Sequence, residues 1–445
     1  MSRRDDSWAR PTRSAANGRR AKLAAQEIGS TLFDTAGELK LGRKHRPDYV
    51  MIVLILALAL TGLVVLFSIA PAITNGSDGA AAAFMWKQGL FLAIGLAAFF
   101  VASQIPLDFW RKWGGKLFLL ALILCFLLPI FGMLHLPVTI CTLGACRWYN
   151  LAGVGSFQPA EFLKLGVVLF VSGFLAVRAA RGELDSWRKT LLPLGIVIVA
   201  ALFVIVIMQK DLGTGVALLA IVLVQLVVAG VSWRKLAAIL AAFAALGVAS
   251  IAVAPHRLER IATFLGNGNA ETDYHINQAM IALGSGGLTG RGLGQSVQAF
   301  GWLPEAVNDS IFAILGETLG FVGLLAILLV FAFLLKRIID KVDYTENAYL
   351  RLILAGVFGW LAAHVVLNVG AMTHIVPLTG ITLPLVSFGG TSMVFIMVSL
   401  GIVFAISRYT LHRKVKMAGK DARNENSMRG RRQWRPHYAD RGGNR

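Results

Sequence analysis

Residues 50–72 read VMIVLILALALTGLVVLFSIAPA, twenty-three positions without one charged side chain. A helix of that length rises about 35 Å, enough to cross the ~30 Å hydrocarbon core of a bilayer. Nine more runs of the same character follow, near 88–105, 116–133, 161–179, 190–208, 212–231, 236–254, 310–335, 348–371 and 384–407. The composition agrees: of 445 residues 56% are apolar and 15% charged, with mean hydropathy +0.67. Soluble domains carry about 25% charged residues. The chain reads as an all-α polytopic membrane protein with ten transmembrane helices. A soluble enzyme, a disordered chain and a secreted disulfide scaffold are excluded. So is an outer-membrane barrel, whose strands would alternate over about ten residues.

The net charge of +19 sits mostly at the two ends. Residues 1–48 hold eleven Lys/Arg against six Asp/Glu, and residues 408–445 hold twelve against three. Such tails read as a positive-inside signal with attraction to anionic membrane lipid, rather than as a nucleic-acid site. Residues 1–48 and 409–445 are expected as disordered cytoplasmic tails around a membrane domain at 49–408. No cleavable signal peptide is expected, because the first 48 residues are polar. Alternate connections between runs are basic: Arg111, Lys112 and Lys116; Arg178, Arg181, Arg188 and Lys189; Arg234 and Lys235; Lys336, Arg337, Lys341 and Arg351. The opposite connections hold few: Lys87, Arg147, Lys210, and Arg257, Arg260 and Arg291 across more than fifty residues. Both termini are therefore expected in the cytoplasm. The outer side then carries a large extracytoplasmic loop, residues 255–309, between helices 7 and 8. A second long outer connection covers 134–160. Loops of this length are usually functional or disordered. The run GSGGLTGRGLG at 284–294 lacks the Gly-Lys-Ser/Thr ending of a phosphate loop and lies on the wrong side for nucleotide. Its small residues suit close backbone packing.

Carboxylates beside a bilayer are costly and usually have a function. Glu161 and Lys164 stand three residues apart on one helix face, as a self-neutralising pair or as part of a site. Asp211 lies in Gln209-Lys210-Asp211-Leu212-Gly213-Thr214, where an N-cap and a direct chemical role are both open. Glu317, beside Gly316 and Gly320, reads as helix-packing glue. Asp309 marks the entry of the large loop into the eighth span; it is a cap, or a base whose strength burial would raise. Three Cys and eight His show no metal-ligand spacing. Cys141 and Cys146 share an outer loop, as a disulfide or as two thiols.

Five stretches together resemble one family, the SEDS proteins (FtsW, RodA and SpoVE), over roughly residues 50–408. Arg147-Trp148 with Gln158-Pro159-Ala160-Glu161 and Lys164 resembles the family's Arg-Trp…Gln-Pro-Ser-Glu…Lys. Residues 209–214 are similar to its Gln-Pro-Asp-(Leu/Phe)-Gly-Thr. Tyr274, Gln278 and Ala282 to Gly294 resemble its Tyr-Gln…Gly-Leu-Gly segment. Leu303-Pro304-Glu305-Ala306-Val307-Asn308-Asp309-Ser310-Ile311-Phe312-Ala313 looks like Leu-Pro-Glu-Ala-His-Thr-Asp-Phe-Ile-Phe-Ala. Pro377, Gly380, Pro384 and Ser387-Phe388-Gly389-Gly390-Thr391-Ser392 resemble its Pro…Gly…Pro…Ser-Tyr-Gly-Gly-Ser-Ser. The departures are Lys210 for Pro, Val307 for His, Asn308 and Ser310 around the aspartate, His364 for Gln, and the Cys141/Cys146 loop.

The resemblance implies a peptidoglycan glycosyltransferase of the bacterial cytoplasmic membrane that polymerises lipid II at its outer face. The acceptor's GlcNAc 4-hydroxyl would attack C1 of the donor's MurNAc, releasing undecaprenyl pyrophosphate. Asp309 matches the family's catalytic aspartate and would be the base. Arg147, Lys164 and Lys210 would meet the pyrophosphate, Glu161 would hold Lys164, and Trp148 would stack on sugar or pack the loop. Gln158, Asp211, Glu305 and Asn308 would join the substrate site, with Ser387, Gly389, Gly390 and Ser392 from the last signature. No firm cofactor is implied, and a divalent cation at the pyrophosphate is compatible with the chemistry. Implied partners are a class B penicillin-binding protein, divisome or elongasome proteins and the lipid-linked glycan, with no nucleic acid. A lipid II flippase and a non-catalytic scaffold stay open as alternatives. The long basic tails lean toward FtsW, and Leu378-Thr379-Gly380-Ile381 leans toward RodA.

Overall fold

The computed structural model describes residues 44, 46–74, 76–142, 145–151, 155–252, 258, 264 and 270–409. The expectations for the two tails, and for Arg257 and Arg260, lie outside the described residues. Eleven helices organise the rest. They are α1 (Tyr49–Ile73), α2 (Asp78–Gln104), α3 (Leu107–Met133), α4 (Pro159–Ala180), α5 (Leu192–Leu202), α6 (Leu212–Ala229), α7 (Trp233–Ala252), α8 (Ala270–Ser285), α9 (Ile311–Tyr344), α10 (Ala348–Met372) and α11 (Gly390–Ile406). Wider π-turns at Trp187–Leu191 and Phe203–Met208 extend α5 in both directions. Among the described residues, nine helical segments are long and apolar enough to cross a membrane. The chain is a multi-pass membrane protein.

Helix α4 is the pillar, with 83% of its apolar window buried, against 17% for α2 and 22% for α3. It packs on α3, α6, α10 and α11. Apolar packing against lipid gives little preference for one neighbour over another, so polar side chains select partners. Gln225 of α6, fully buried, shares its two amide N–H bonds among the carbonyls of Val168 in α4 and Leu352 in α10 and Ser172 Oγ, all within 3.2 Å. At the basic end, Asp48 binds Lys341 and lies 3.7 Å from Arg337, while its amide donates to Ser407 Oγ. One residue thus ties the start of α1 to the ends of α9 and α11. Burial alone would raise the Asp48 carboxyl, but the Lys341 ammonium and Arg337 guanidinium outweigh it and hold the group below the usual carboxylate range. This contribution is full at neutral pH and fades as pH falls through the lowered value.

Three departures from the expected layout have physical causes. The 134–160 connection is not irregular; it forms an antiparallel sheet of β1 (Thr139–Thr142), β2 (Ala145–Leu151) and β3 (Gly155–Phe157). Cys141 and Cys146 pair across its first hairpin as a disulfide. The last span starts at Gly390 rather than 384, because Leu385 takes a positive φ of 65°, which a right-handed helix does not admit.

The third concerns α9, expected as one unbroken helix. It breaks at Gly320, whose φ is 69° and ψ −173°. The glycine-rich run fills the break. The amides of Arg291 and Gly292 donate to the carbonyls of Glu317 and Thr318, and the amides of Phe321 and Val322 donate to the carbonyls of Gly287 and Leu288. Part of the supposed outer loop therefore lies alongside α9, about 14 Å along the helix from Ile311. An opened helix in a bilayer is tolerable only when its backbone groups find partners in protein. Glu317 then acts as more than packing glue. Fully buried, it accepts from the Val297 amide at 2.9 Å and from Ser296 Oγ at 2.5 Å, and it lies 3.8 Å from Arg291.

A Cβ on Gly320 would stand 2.3 Å from the Gly290 nitrogen, in a conformation open essentially only to glycine. Gly320→Ala is expected to lower the melting temperature in detergent by the equivalent of about 1–3 kcal/mol or more. Gly195→Ala, in open space within α5, should leave it unchanged or raise it. Equal behaviour of the two variants would contradict the insertion.

Candidate functional site

At the end opposite the Asp48 staple, four consecutive residues gather the motifs. The Thr379 carbonyl lies against Gly213, where a Cβ would come within 2.5 Å of it. A Cβ on Gly380 would be 3.8 Å from Asp309 Oδ2, so that carboxylate faces the segment. The Ile381 carbonyl accepts from Asn368 Nδ2 at 2.7 Å, and the Thr382 carbonyl accepts from His364 Nδ1 at 3.2 Å. Residues from α6, from the loop ahead of α9 and from α10 thereby meet one short stretch of main chain.

Asp309 itself is half-buried, just ahead of α9. Its loop is pinned on several sides. The Glu305 carbonyl accepts from the amides of Asn308 and Ser310, and Asn308 Nδ2 donates to Glu305 Oε2 at 2.5 Å. Ser310 Oγ donates to the Pro304 carbonyl at 2.9 Å and accepts from His275 of α8 at 2.8 Å. The Phe388 amide donates to the Val307 carbonyl at 2.8 Å, joining this loop to the last signature. Ser310, rather than Asp309, occupies the N-cap position of α9.

Glu161 and Lys164 form the pair expected, at 2.8 Å, with side-chain exposures of 6% and 1%. Lys164 Nζ also contacts His364 Nε2 at 2.9 Å and lies 5.2 Å from the Trp360 ring centre. Because His364 Nδ1 faces a carbonyl, it carries the proton, and Nε2 accepts from both Lys164 and Trp360 Nε1. The cluster of one anion, one cation and a neutral imidazole balances its charge inside the bundle. Lys164 therefore does not present its ammonium at the site surface, as direct pyrophosphate binding would require.

The other residues divide between scaffold and surface. Asp211 is the N-cap of α6, its two oxygens accepting from Thr214 N at 2.9 Å and Thr214 Oγ1 at 2.8 Å. Arg147 of β2 donates to the carbonyls of Gln209 at 3.2 Å and Lys210 at 2.7 Å, clamping that connection. Lys210 is exposed at φ 56°, a conformation closed to proline, so its departure from the family's usual residue goes with a different backbone. Trp148 is half-buried opposite Ile140 in the sheet. The Gln158 amide donates to Thr391 Oγ1 at 3.3 Å, tying the start of α4 to that of α11. Buried Ser387 accepts from the Leu383 amide at 2.8 Å and closes the turn before α11. Gly389 is the N-cap of α11, with Ser392 beside it, and Gly390 packs on the Phe91 ring. Among the described residues, no three His, Cys, Asp or Glu side chains converge to hold a metal ion.

The convergence joins the motifs quoted from the sequence, and the Tyr274–Gly294 run meets it where His275 hydrogen-bonds Ser310. Comparison with known proteins gives the same grouping. Residues 48–412 match the family model described as "Cell cycle protein", the FtsW/RodA/SpoVE model. The chain belongs to that family. It is 34% identical to stage V sporulation protein E of Bacillus subtilis, over 83% of this chain and 99% of that one. It is 33% identical to the probable peptidoglycan glycosyltransferase FtsW of Aliivibrio salmonicida, over 85% of this chain and 92% of that one. Among solved structures, a chain of a peptidoglycan synthase complex that coordinates polymerization and crosslinking superposes with TM-score 0.66 at 25% identity, covering 81% and 98% of the two chains.

Sequence reading missed Trp360 and Asn368 and took His364 only as a departure. Their spacing of four along α10 was a usable signal, since it places all three on one helix face.

The Glu161–Lys164 pair should behave as a unit. Glu161→Gln or Lys164→Met alone strands a buried charge and is expected to cost about 3–5 kcal/mol. The double variant should cost clearly less than the sum, measured by unfolding in detergent; strictly additive losses would refute the coupling.

Proposed function

We propose that this chain is a peptidoglycan glycosyltransferase, polymerising lipid II into glycan strands at the outer face of the bacterial cytoplasmic membrane. The observation that carries this reading is the position of Asp309, half-buried against Gly380 at the meeting point of the family motifs. In the proposed step the Asp309 carboxylate takes the proton of the acceptor GlcNAc 4-hydroxyl. That oxygen attacks C1 of the donor's MurNAc, and undecaprenyl pyrophosphate leaves. Exposed Lys210, on a connection clamped by Arg147, supplies positive charge for the leaving group. Lys164, held with Glu161 and His364, fixes α4 to α10 and serves the site from within.

The topology proposed has ten spans, with Trp233–Ala252 as the seventh, and both termini in the cytoplasm. The Lys/Arg distribution supports it, because the site end is the poorly basic end. A penicillin-binding protein is the proposed partner, in keeping with the similarity to a synthase chain whose complex also crosslinks. A septal or an elongation role fits the site equally.

Asp309→Asn keeps size and shape but cannot accept the proton. Polymerisation of labelled lipid II by the purified variant is expected to fall about 10²–10⁴-fold, with melting temperature nearly unchanged. Near-normal polymerisation by a folded variant would end the assignment and leave a scaffold or transport role.

A further inference from the structure

Asn368 has no part in the step just described, yet it occupies a costly position. Its side chain is 1% exposed, one turn beyond His364 on an apolar helix. Its Nδ2 donates to two carbonyls, those of Asp309 and Ile381, both at 2.7 Å. Only the amide nitrogen can serve two carbonyls, so the orientation of the group is settled by its partners. Both N–H bonds of this amide are committed to the main chain that carries, and the main chain that faces, the Asp309 carboxylate.

Gln225 shows what the alternative looks like. It too is a buried amide donating to carbonyls, but its partners belong to α4 and α10 midway along the bundle, where it joins helix to helix. Asn368 instead joins a helix to two site segments, and Gly380, the neighbour of Ile381, faces Asp309 Oδ2. The hydrogen bonds of this loop through the Glu305 carbonyl, Ser310 Oγ and the Phe388 amide are made to segments outside α10. Losing Asn368 would therefore remove a link between the loop and α10 while these bonds still hold the loop.

We propose that Asn368 is a positioning residue for the glycosyl transfer: it sets where the Asp309 carboxylate stands relative to the acceptor hydroxyl. This inference rests on the reading of Asp309 as the base. Proton transfer needs donor and acceptor within about 2.6–3.2 Å, and a misplacement of about 1 Å can cost on the order of 10²-fold. Asn368 is 1% exposed and offers no surface to a sugar, so substrate binding should be spared.

The test is steady-state polymerisation of lipid II by the purified full-length protein and four variants. Asn368→Leu keeps the γ-branched outline in an apolar helix and removes both donors; Asn368→Asp keeps the shape and has at most one. The others are Asp309→Asn and the Asp309→Asn/Asn368→Leu double variant. For Asn368→Leu, kcat should fall about 10–100-fold with KM within about threefold. Asn368→Asp should fall less, and Asn368→Leu should cost almost nothing further when Asp309 is already Asn. An unchanged kcat, a change confined to KM, or a full additional loss in the double variant would overturn the proposal. Should Asn368→Leu not fold, Asn368→Asp is judged by the same criteria, alone and with Asp309→Asn. Full activity of Asp309→Asn would remove the base assignment and this inference together. Loss in Asp309→Asn beside normal Asn368 variants would remove this inference alone.

Discussion

The main chain of Thr379–Thr382 is the constraint on which the site depends. Within four residues it packs on Gly213, faces Asp309, and accepts from Asn368 and His364. A segment outside helix and sheet can do this because its carbonyls are not committed to a ladder of its own, and each needs a partner where water is scarce. The two side chains that answer, Asn368 and His364, stand one turn apart on α10. Pairing the Ile381 and Thr382 carbonyls thus fixes the segment to α10, and its close approach to Gly213 and Asp309 draws one site from distant parts of the sequence. Local strain gathers around it: Lys210, Glu305 and Leu385 all hold positive φ without being glycine. Such conformations persist where surrounding contacts over-determine them, as they do at functional sites.

The same rule governs the rest of the bundle. Helix α9 opens at Gly320, and the glycine-rich run enters to take up the bonds that the helix gives away. Glu317, otherwise an expensive charge, collects the amides of the incoming chain. The Glu161–Lys164–His364 cluster is a side-chain version of the same economy, with charge balanced inside the bundle and nothing left for the surface. This is why Lys164, which charge alone would send to a pyrophosphate, serves instead to hold α4 against α10.

Much of the fold was legible because long apolar runs admit few readings in water or lipid. Helix positions and the basic pattern of alternate connections came directly from residue chemistry. The break in α9 was not legible, since Gly320 in an apolar run looks like ordinary helix packing until its partner is known. Nor was the sheet at 139–157, whose strands of three to seven residues are too short for a period to show. Of the site, Asp309, Glu161 and Lys164 stood out because charge is rare in such a chain. Asn368 did not, because one amide in a helix has no pattern until both its carbonyls are seen. Asp211 was read as open between cap and chemistry and Arg147 as meeting the pyrophosphate; the geometry makes Asp211 the N-cap of α6 and Arg147 a clamp on the Gln209–Lys210 connection.

The central claim is geometric: the acceptor sugar is activated at Asp309, on the segment that Thr379–Thr382 holds. A cryo-electron microscopy structure of the protein in lipid nanodiscs with a non-reactive lipid II analogue tests it most directly. The account requires the acceptor 4-hydroxyl within about 3 Å of an Asp309 oxygen and the pyrophosphate on the Lys210 side of the site. A bound analogue whose sugars lie elsewhere, with Asp309 out of reach of both, would contradict it.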